Sequence, residues 1–231
     1  ADLFNDLYFA KTGISIGRTW VRETIMRHER GKLLRNKAIK HRIPPKLVRN
    51  AIWGMDTTVV ADEKKFLHQV MGLIDHGTRL NLCLRHLRRF NTWTCLGCIF
   101  LAIGEFGKPK TIKLDNHPVF RSRLLKTVLG AAGIRLWFSE PGKPWQNGCI
   151  ERFFGTLKAA MQGHVFQDQA QVLQAMAEFQ CWYNLARVHQ HLRRRTPVQA
   201  WLGIDPHLIP PKSVKWVSAW GGRLRGAILR N

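Results

Sequence analysis

Apolar and polar positions alternate over 56–62, 66–75 and 79–84, and the runs are broken at Asp62-Glu63-Lys64 and His76-Gly77. Period-two alternation interrupted by such turns predicts three strands joined as an antiparallel meander. From Asn91 or Thr92 to Ile103 the pattern becomes helical, and Gly104 and Gly107-Lys108-Pro109 end it. A strand over 111–115, a helix over 120–132, a strand over 134–138 and a helix from about Asn147 follow, giving the order βββαβαβα. That order predicts an α/β domain with a mixed sheet covered by helices. In its last helix Ile150, Phe154, Leu157 and Met161 recur at threes and fours and form a core face. Glu151, Gly155 and Lys158 share another face, so a carboxylate and an ammonium flank a position with no side chain. A polymer fits across that gap.

Two Asp residues can join Glu151. Asp56 heads the β-branched run Thr57-Thr58-Val59-Val60, and Asp115 closes the short apolar strand at 111–115. An acid at a strand end in apolar surroundings needs a partner or a metal. Brought together, three carboxylates repel, and the cluster is tolerable only when protons or divalent cations neutralise it. An all-oxygen, carboxylate-rich set favours Mg²⁺ or Mn²⁺ over zinc.

Charge narrows the partner. The 231 residues carry 37 Lys and Arg against 15 Asp and Glu, a formal +22 with a pI near 10.8. Such an excess indicates a polyanion, and double-stranded DNA is the expected one. The basic residues are spread along the chain instead of lining one amphipathic helix, and no run approaches a membrane span, so no membrane partner is expected and a soluble, intracellular protein is. The hydrophobic content of 45% suffices for a real core. Five cysteines form no paired framework, which suits a reducing compartment. Cys95-Leu96-Gly97-Cys98 has metal-ligand spacing, but it lies in an apolar helical stretch without a second pair and reads as buried thiols.

The acids and their neighbours resemble a known family. Trp53-x-x-Asp56-x-Thr58, Leu114-Asp115-Asn116 with Phe120, and Pro144-x-x-Asn147-Gly148-x-x-Glu151-Arg152 with Lys158 resemble the DDE transposase and retroviral integrase core, as carried by bacterial insertion-sequence transposases. The 35 residues between Asp115 and Glu151 match the separation that names the D,D(35)E motif. Trp182-Tyr183-Asn184-x-x-Arg187-x-His189-x-x-Leu192-x-x-x-Thr196-Pro197 resembles the segment closing that domain. The resemblance implies an RNase H-like fold over 51–205 and catalytic, metal-binding roles for Asp56, Asp115 and Glu151. It further implies two Mg²⁺ or Mn²⁺ ions per site, at least a dimer, and a cytoplasmic, nucleoid-associated bacterial protein. Two ions roughly 4 Å apart would activate the attacking oxygen and stabilise the leaving one. The implied reaction frees a 3′-OH at a transposon end and transfers it to a target strand.

The flanks read as DNA-binding. Residues 1–28 have the spacing of two short helices around Gly13, the second bearing Arg18 and Arg22, and read as a helix-turn-helix. Residues 29–50 form a basic linker ending after Pro44-Pro45. Residues 206–231 form a proline-marked hinge and a short β-rich segment, similar to part of a small barrel. Lys158, Arg152, Arg187, His189 and Arg194 are the expected DNA contacts within the core. Asn116 and Asn147 serve either a metal-bound water or a local turn; Trp145 either stacks on a base or fills the core. His117 stands where the family often has Gly and is either a turn residue or a group near the metal. Two other readings stay open, a DNA-binding regulator of the same fold without chemistry and a nuclease that cuts without joining.

Overall fold

A computed structural model describes residues 12, 14–17, 19–20, 23–24, 47–140, 144–206, 208 and 212–230, with backbone only at 144, 145, 229 and 230. The chain divides into two compact units, Ala1–Pro45 and Lys46–Asn231. The first is helical at 12, 19–20 and 23–24. Most of its expected helix-turn-helix over 1–28, Arg18 and Arg22 included, and the expected basic linker over 29–50 as far as 46 lie outside the described residues.

The second unit is built on a five-stranded sheet. Strands β1 (Ile52–Ala61), β2 (Leu67–Asp75) and β3 (Asn81–Leu87) form the predicted meander, followed by α1 (Thr92–Phe106), β4 (Thr111–Leu114), α2 (Arg123–Ala131), β5 (Arg135–Phe138) and α3 (Gly148–Met161). The strand order is β3-β2-β1-β4-β5, with β1 antiparallel to β2 and parallel to β4. Helices α4 (Gln169–Leu185) and α5 (Pro197–Leu202) and a hairpin of β6 (Ser213–Ala219) and β7 (Leu224–Arg230) complete it. Among the described residues no helix is long and apolar enough to cross a membrane.

Alternation along the strands sorts two cores. Trp53, Met55, Met71, Leu73, Ile112 and Leu114 pack with Ile99, Leu125 and Leu129 of α1 and α2. Val70, Ile74 and Leu84 pack on the other face with Phe153, Phe154 and Leu157 of α3 and Val172, Phe179 and Tyr183 of α4. Each large side chain so buried contributes roughly 2 kcal/mol. Cys95 and Cys98 are buried in α1, as the sequence implied.

Helix starts follow their capping chemistry. Asn91 accepts from Thr94 N and Thr94 reciprocates, a capping box for α1. Ser122 Oγ accepts from Leu125 N, so α2 begins after a turn at 118–121 and not at Phe120. The Thr196-Pro197 pair opens α5: Thr196 Oγ1 accepts from Gln199 N, Gln199 Oε1 accepts from Thr196 N, and Pro197 fills the first helical position.

A second expectation is corrected at β1. β1 starts at Ile52, four residues before the predicted 56, so Asp56 lies within the strand and not at its head. The parallel pairing of Ile52, Trp53 and Gly54 with β4 extends the strand upstream, and alternation alone gives no sign of it.

Candidate active site

The sheet register brings the first two acids together. Gly54 pairs with Lys113 on the neighbouring parallel strand. The same offset carried two residues on sets Asp56 beside Asp115, on strands about 4.8 Å apart. Asp56 shares side-chain parity with Gly54, and Asp115 with Lys113, so both point to the α3 face.

Across the other ladder Asp56 pairs with Gly72. A Cβ there would lie 2.7 Å from Phe154 Cζ and 3.3 Å from Phe153 Cε1, both on α3. The missing side chain is the seat that lets α3 approach the sheet. Glu151, one turn before Phe154, comes down beside Asp56 as a result.

Electrostatics register this assembly. The Asp56 carboxyl is pushed up to about 6, first by burial and then by the like charges of Asp115 and Glu151, against the Thr57 N–H bond and Lys158. Among the described residues no three His, Cys, Asp or Glu side chains are closed to metal-holding geometry. Thr57 N donates to Asp56 Oδ1 at 2.7 Å and His117 N to Asp115 Oδ1 at 3.0 Å. Among the described residues the second oxygen of each has no hydrogen-bond partner.

The neighbouring polar groups divide by what they hold. Asn116 Nδ2 donates to Ser139 O at 2.7 Å, tying the exit of β4 to that of β5. His117 Nδ1 accepts from Val119 N at 3.3 Å and its ring lies 4.8 Å from Phe90, a turn role. Asn147 is buried at the start of α3 and makes no side-chain cap bond. Gln146 and Glu140 bond reciprocally, Nε2 to Oε1 at 2.9 Å and Glu140 N to Gln146 Oε1 at 2.9 Å, bracketing 141–143. Lys158 is exposed and lines a groove with Val59, Ala61, Gln162 and His164, the first of them three residues beyond Asp56 on β1.

Arg152, Arg187 and His189 gather apart from the acids, near the start of α3, with Arg79 of the β2–β3 turn, a residue sequence reasoning missed. Arg79 donates to Cys149 Sγ, and Arg79, Arg187 and His191 all depress His189, after burial, to about 3. Arg194, exposed and at φ 61°, is not among the charges acting on that cluster.

The integrase core domain family matches residues 48–144, and a second profile of the same description matches 132–197. The chain carries a DDE transposase/integrase catalytic core. A protein of insertion element IS476 of Xanthomonas euvesicatoria, described as an uncharacterized 39.2 kDa protein, is 34% identical over 94 residues. That stretch is 40% of this chain and 27% of the relative. The uncharacterized 31.7 kDa protein of IS407 of Burkholderia multivorans is 34% identical over 92 residues, 39% of this chain and 33% of the relative. The match thus spans a third or less of these curated relatives.

Solved structures agree on the fold of this integrase core. The HTLV-2 integrase catalytic core domain in complex with magnesium superposes with a TM-score of 0.56 at 19% identity, over 68% of this chain and 99% of that one. A chain of the simian T-cell lymphotropic virus intasome, bound to PP2A regulatory subunit B56 gamma, gives 0.59 at 23% identity, over 81% and 68%. The mixed sheet flanked by helices is that of retroviral integrase cores, RNase H-like.

Proposed function

We propose that this chain is a DNA transposase: it hydrolyses duplex DNA at the ends of a mobile element to free a 3′-OH and transfers that hydroxyl into a target strand. Asp56, Asp115 and Glu151 are its catalytic, metal-holding residues. The observation that carries the reading is the gathering of three like charges: the register sets Asp56 beside Asp115 on the α3 face, and the Gly72 seat lets the Glu151 helix down onto it, in an integrase-type sheet. A pure binder gains nothing from such repulsion.

The donor set fits hard divalent ions, Mg²⁺ or Mn²⁺, because each donor is a carboxylate and Asp56 and Asp115 keep one oxygen uncommitted among the described residues. Bound there, two such ions supply activation of the attacking oxygen and relief of charge on the leaving 3′ oxygen. The protein's own part is positional. Thr57 N–H and His117 N–H fix one oxygen of each Asp, and the Lys158 ammonium holds a non-bridging phosphate oxygen along the groove. Hydrolysis breaks the bond from phosphorus to the 3′ oxygen; in joining, that oxygen attacks a target phosphorus and releases the target's 3′ oxygen. A homo-oligomer brings two ends together. The magnesium complex and dimeric form of the HTLV-2 core support the metal and the assembly.

Pre-cut element ends, target duplex and Mg²⁺ or Mn²⁺ test the reading. Joining is expected, falling by at least about 10³-fold in Asp56→Asn, Asp115→Asn and Glu151→Gln. Joining that survives any of the three substitutions sinks it, nicking alone favours the nuclease, and binding with neither favours the regulator.

A further inference from the structure

The start of α3 gathers positive charge that makes no ion pair among the described residues. Arg79 reaches Cys149 from the β2–β3 turn, Arg187 lies 5.5 Å over the Trp182 ring at the end of α4, and the His189 ring sits 5.0 Å from Tyr183. Arg79, Arg152 and Arg187 all act on Tyr183, and Arg79 and Arg152 on His191. Four separate elements therefore converge. Among the described residues none of the three guanidiniums has a carboxylate within ion-pair distance, and Arg187 Nε and His189 Nε2 are buried without a hydrogen-bond partner. Of the acids nearby, Glu151 shares the first turn of α3 with Arg152 and forms no ion pair with it, and Asp75 is fully buried and already accepts from Thr78 N at 2.7 Å, Thr78 Oγ1 at 2.9 Å and Asn50 N at 2.9 Å. Guanidiniums gathered without a carboxylate partner suit an external anion, as clustered carboxylates suit a cation.

Position identifies the anion. Asp75 pairs with Trp53, three residues before Asp56 on β1, so the β2–β3 turn that carries Arg79 begins about 10 Å along the sheet from Asp56. A DNA strand whose scissile phosphate lies at the acids places a neighbouring phosphate within that span.

Resting on the transposase reading, we infer that Arg79, Arg152 and Arg187, backed by His189, form a phosphodiester cradle that grips the DNA strand beside the scissile bond. Planar guanidiniums suit this task, since each can engage two phosphate oxygens. The Lys158 groove then takes the strand on the other side of the acids.

Binding of a short duplex to the metal-free chain in EDTA, measured across a potassium chloride series, tests the cradle apart from the chemistry. Removing one guanidinium from a phosphate lowers the slope of log K against log salt by about one. Arg79→Gln and Arg187→Gln are each expected to lower it by about one and to weaken binding roughly 3- to 10-fold, while Arg135→Gln, exposed on the far edge strand, leaves it unchanged. Charge-preserving Arg79→Lys and Arg187→Lys keep the slope. Should the Gln variants lose their circular dichroism signal, exposed Arg152→Gln carries the same expectation. An unchanged slope in the folded Gln variants, or an equal reduction in Arg135→Gln, overturns the cradle. A chain that joins DNA with an unchanged slope refutes the cradle alone; one that shows the reduced slopes but never joins refutes the transposase reading alone.

Discussion

Asp56 faces Gly72 across the β1–β2 ladder, and the hydrogen in place of a side chain at Gly72 is where Phe154 of α3 rests. The height of the Glu151 helix above Asp56 is set there. Gly72→Ala is therefore expected to cost about 1–3 kcal/mol and to raise the Mn²⁺ concentration needed for half-maximal joining. Adding Phe154→Leu should restore the metal requirement more fully than it restores stability. Equal metal dependence in wild type and Gly72→Ala would show that the seat does not position Glu151.

Asp56 also makes the site a stability liability. Its folded value of about 6 exceeds the ordinary 3.8, so the folded chain holds this proton more tightly than the unfolded one. Stability is lost as pH climbs from 3.8 to about 6, and the penalty, on the order of 2–3 kcal/mol, is complete above that. Asp56→Asn should raise the metal-free melting temperature at pH 7.5 by several degrees, with the gain vanishing below pH 4. Calorimetric scans at both pH values check this, and a less stable Asn variant at pH 7.5 contradicts it.

Metal binding should share that proton. Mn²⁺ affinity is expected to rise as pH passes through about 6, since the ion requires the ionised carboxylate. Titration calorimetry at pH 6 in two buffers of different ionisation enthalpy would show proton release, and Asp56→Asn would abolish it.

Asn184 belongs to the architecture. Its Oδ1 accepts from Asn81 N and its Nδ2 donates to Asn81 O, both at 2.9 Å, fastening α4 to the start of β3. Asn184→Ala should cost about 2–3 kcal/mol in urea unfolding while the salt slope of DNA binding stays at wild type. A large slope change with little loss of stability would place Asn184 on the DNA instead.

The hairpin is held at one close approach. A Cβ on Gly226 would lie 2.5 Å from Ala186 O, while Trp182 Nε1 donates to Arg225 O at 2.9 Å and Trp220 Nε1 to Glu178 Oε2 at 2.6 Å. Gly226→Ala is expected to loosen β6 and β7 from α4, exposing their amides to hydrogen exchange while the five-stranded sheet stays protected. Unchanged protection of the hairpin would refute the clamp.

The order of elements and the three acids were legible because alternation, helical spacing and turn residues are local signals, and because the acids sit in short recognisable words. Gly72 gave no such signal. Its meaning depends on Phe154, 82 positions away, and nothing in the run from Leu67 to Asp75 announces a helix landing there. Arg79 was hidden likewise, as a turn residue among many basic ones, until the ends of β2, α3 and α4 met. Asn184 and Thr196, by contrast, stand in words that resemble the family's, yet their bonds show them fastening helices.

The parity of β1 has a consequence for how the chain reaches this arrangement. Shifting β1 by one residue against its neighbours would turn Asp56 toward the hydrocarbon under α1 and α2 and present Trp53 and Met55 to α3. Misaligned chains would then bury a bare carboxylate and lose their largest anchor together. The residue proposed for chemistry thus doubles as a proofreader of strand alignment, and a chain that has passed that check has already aimed its acid at the substrate side.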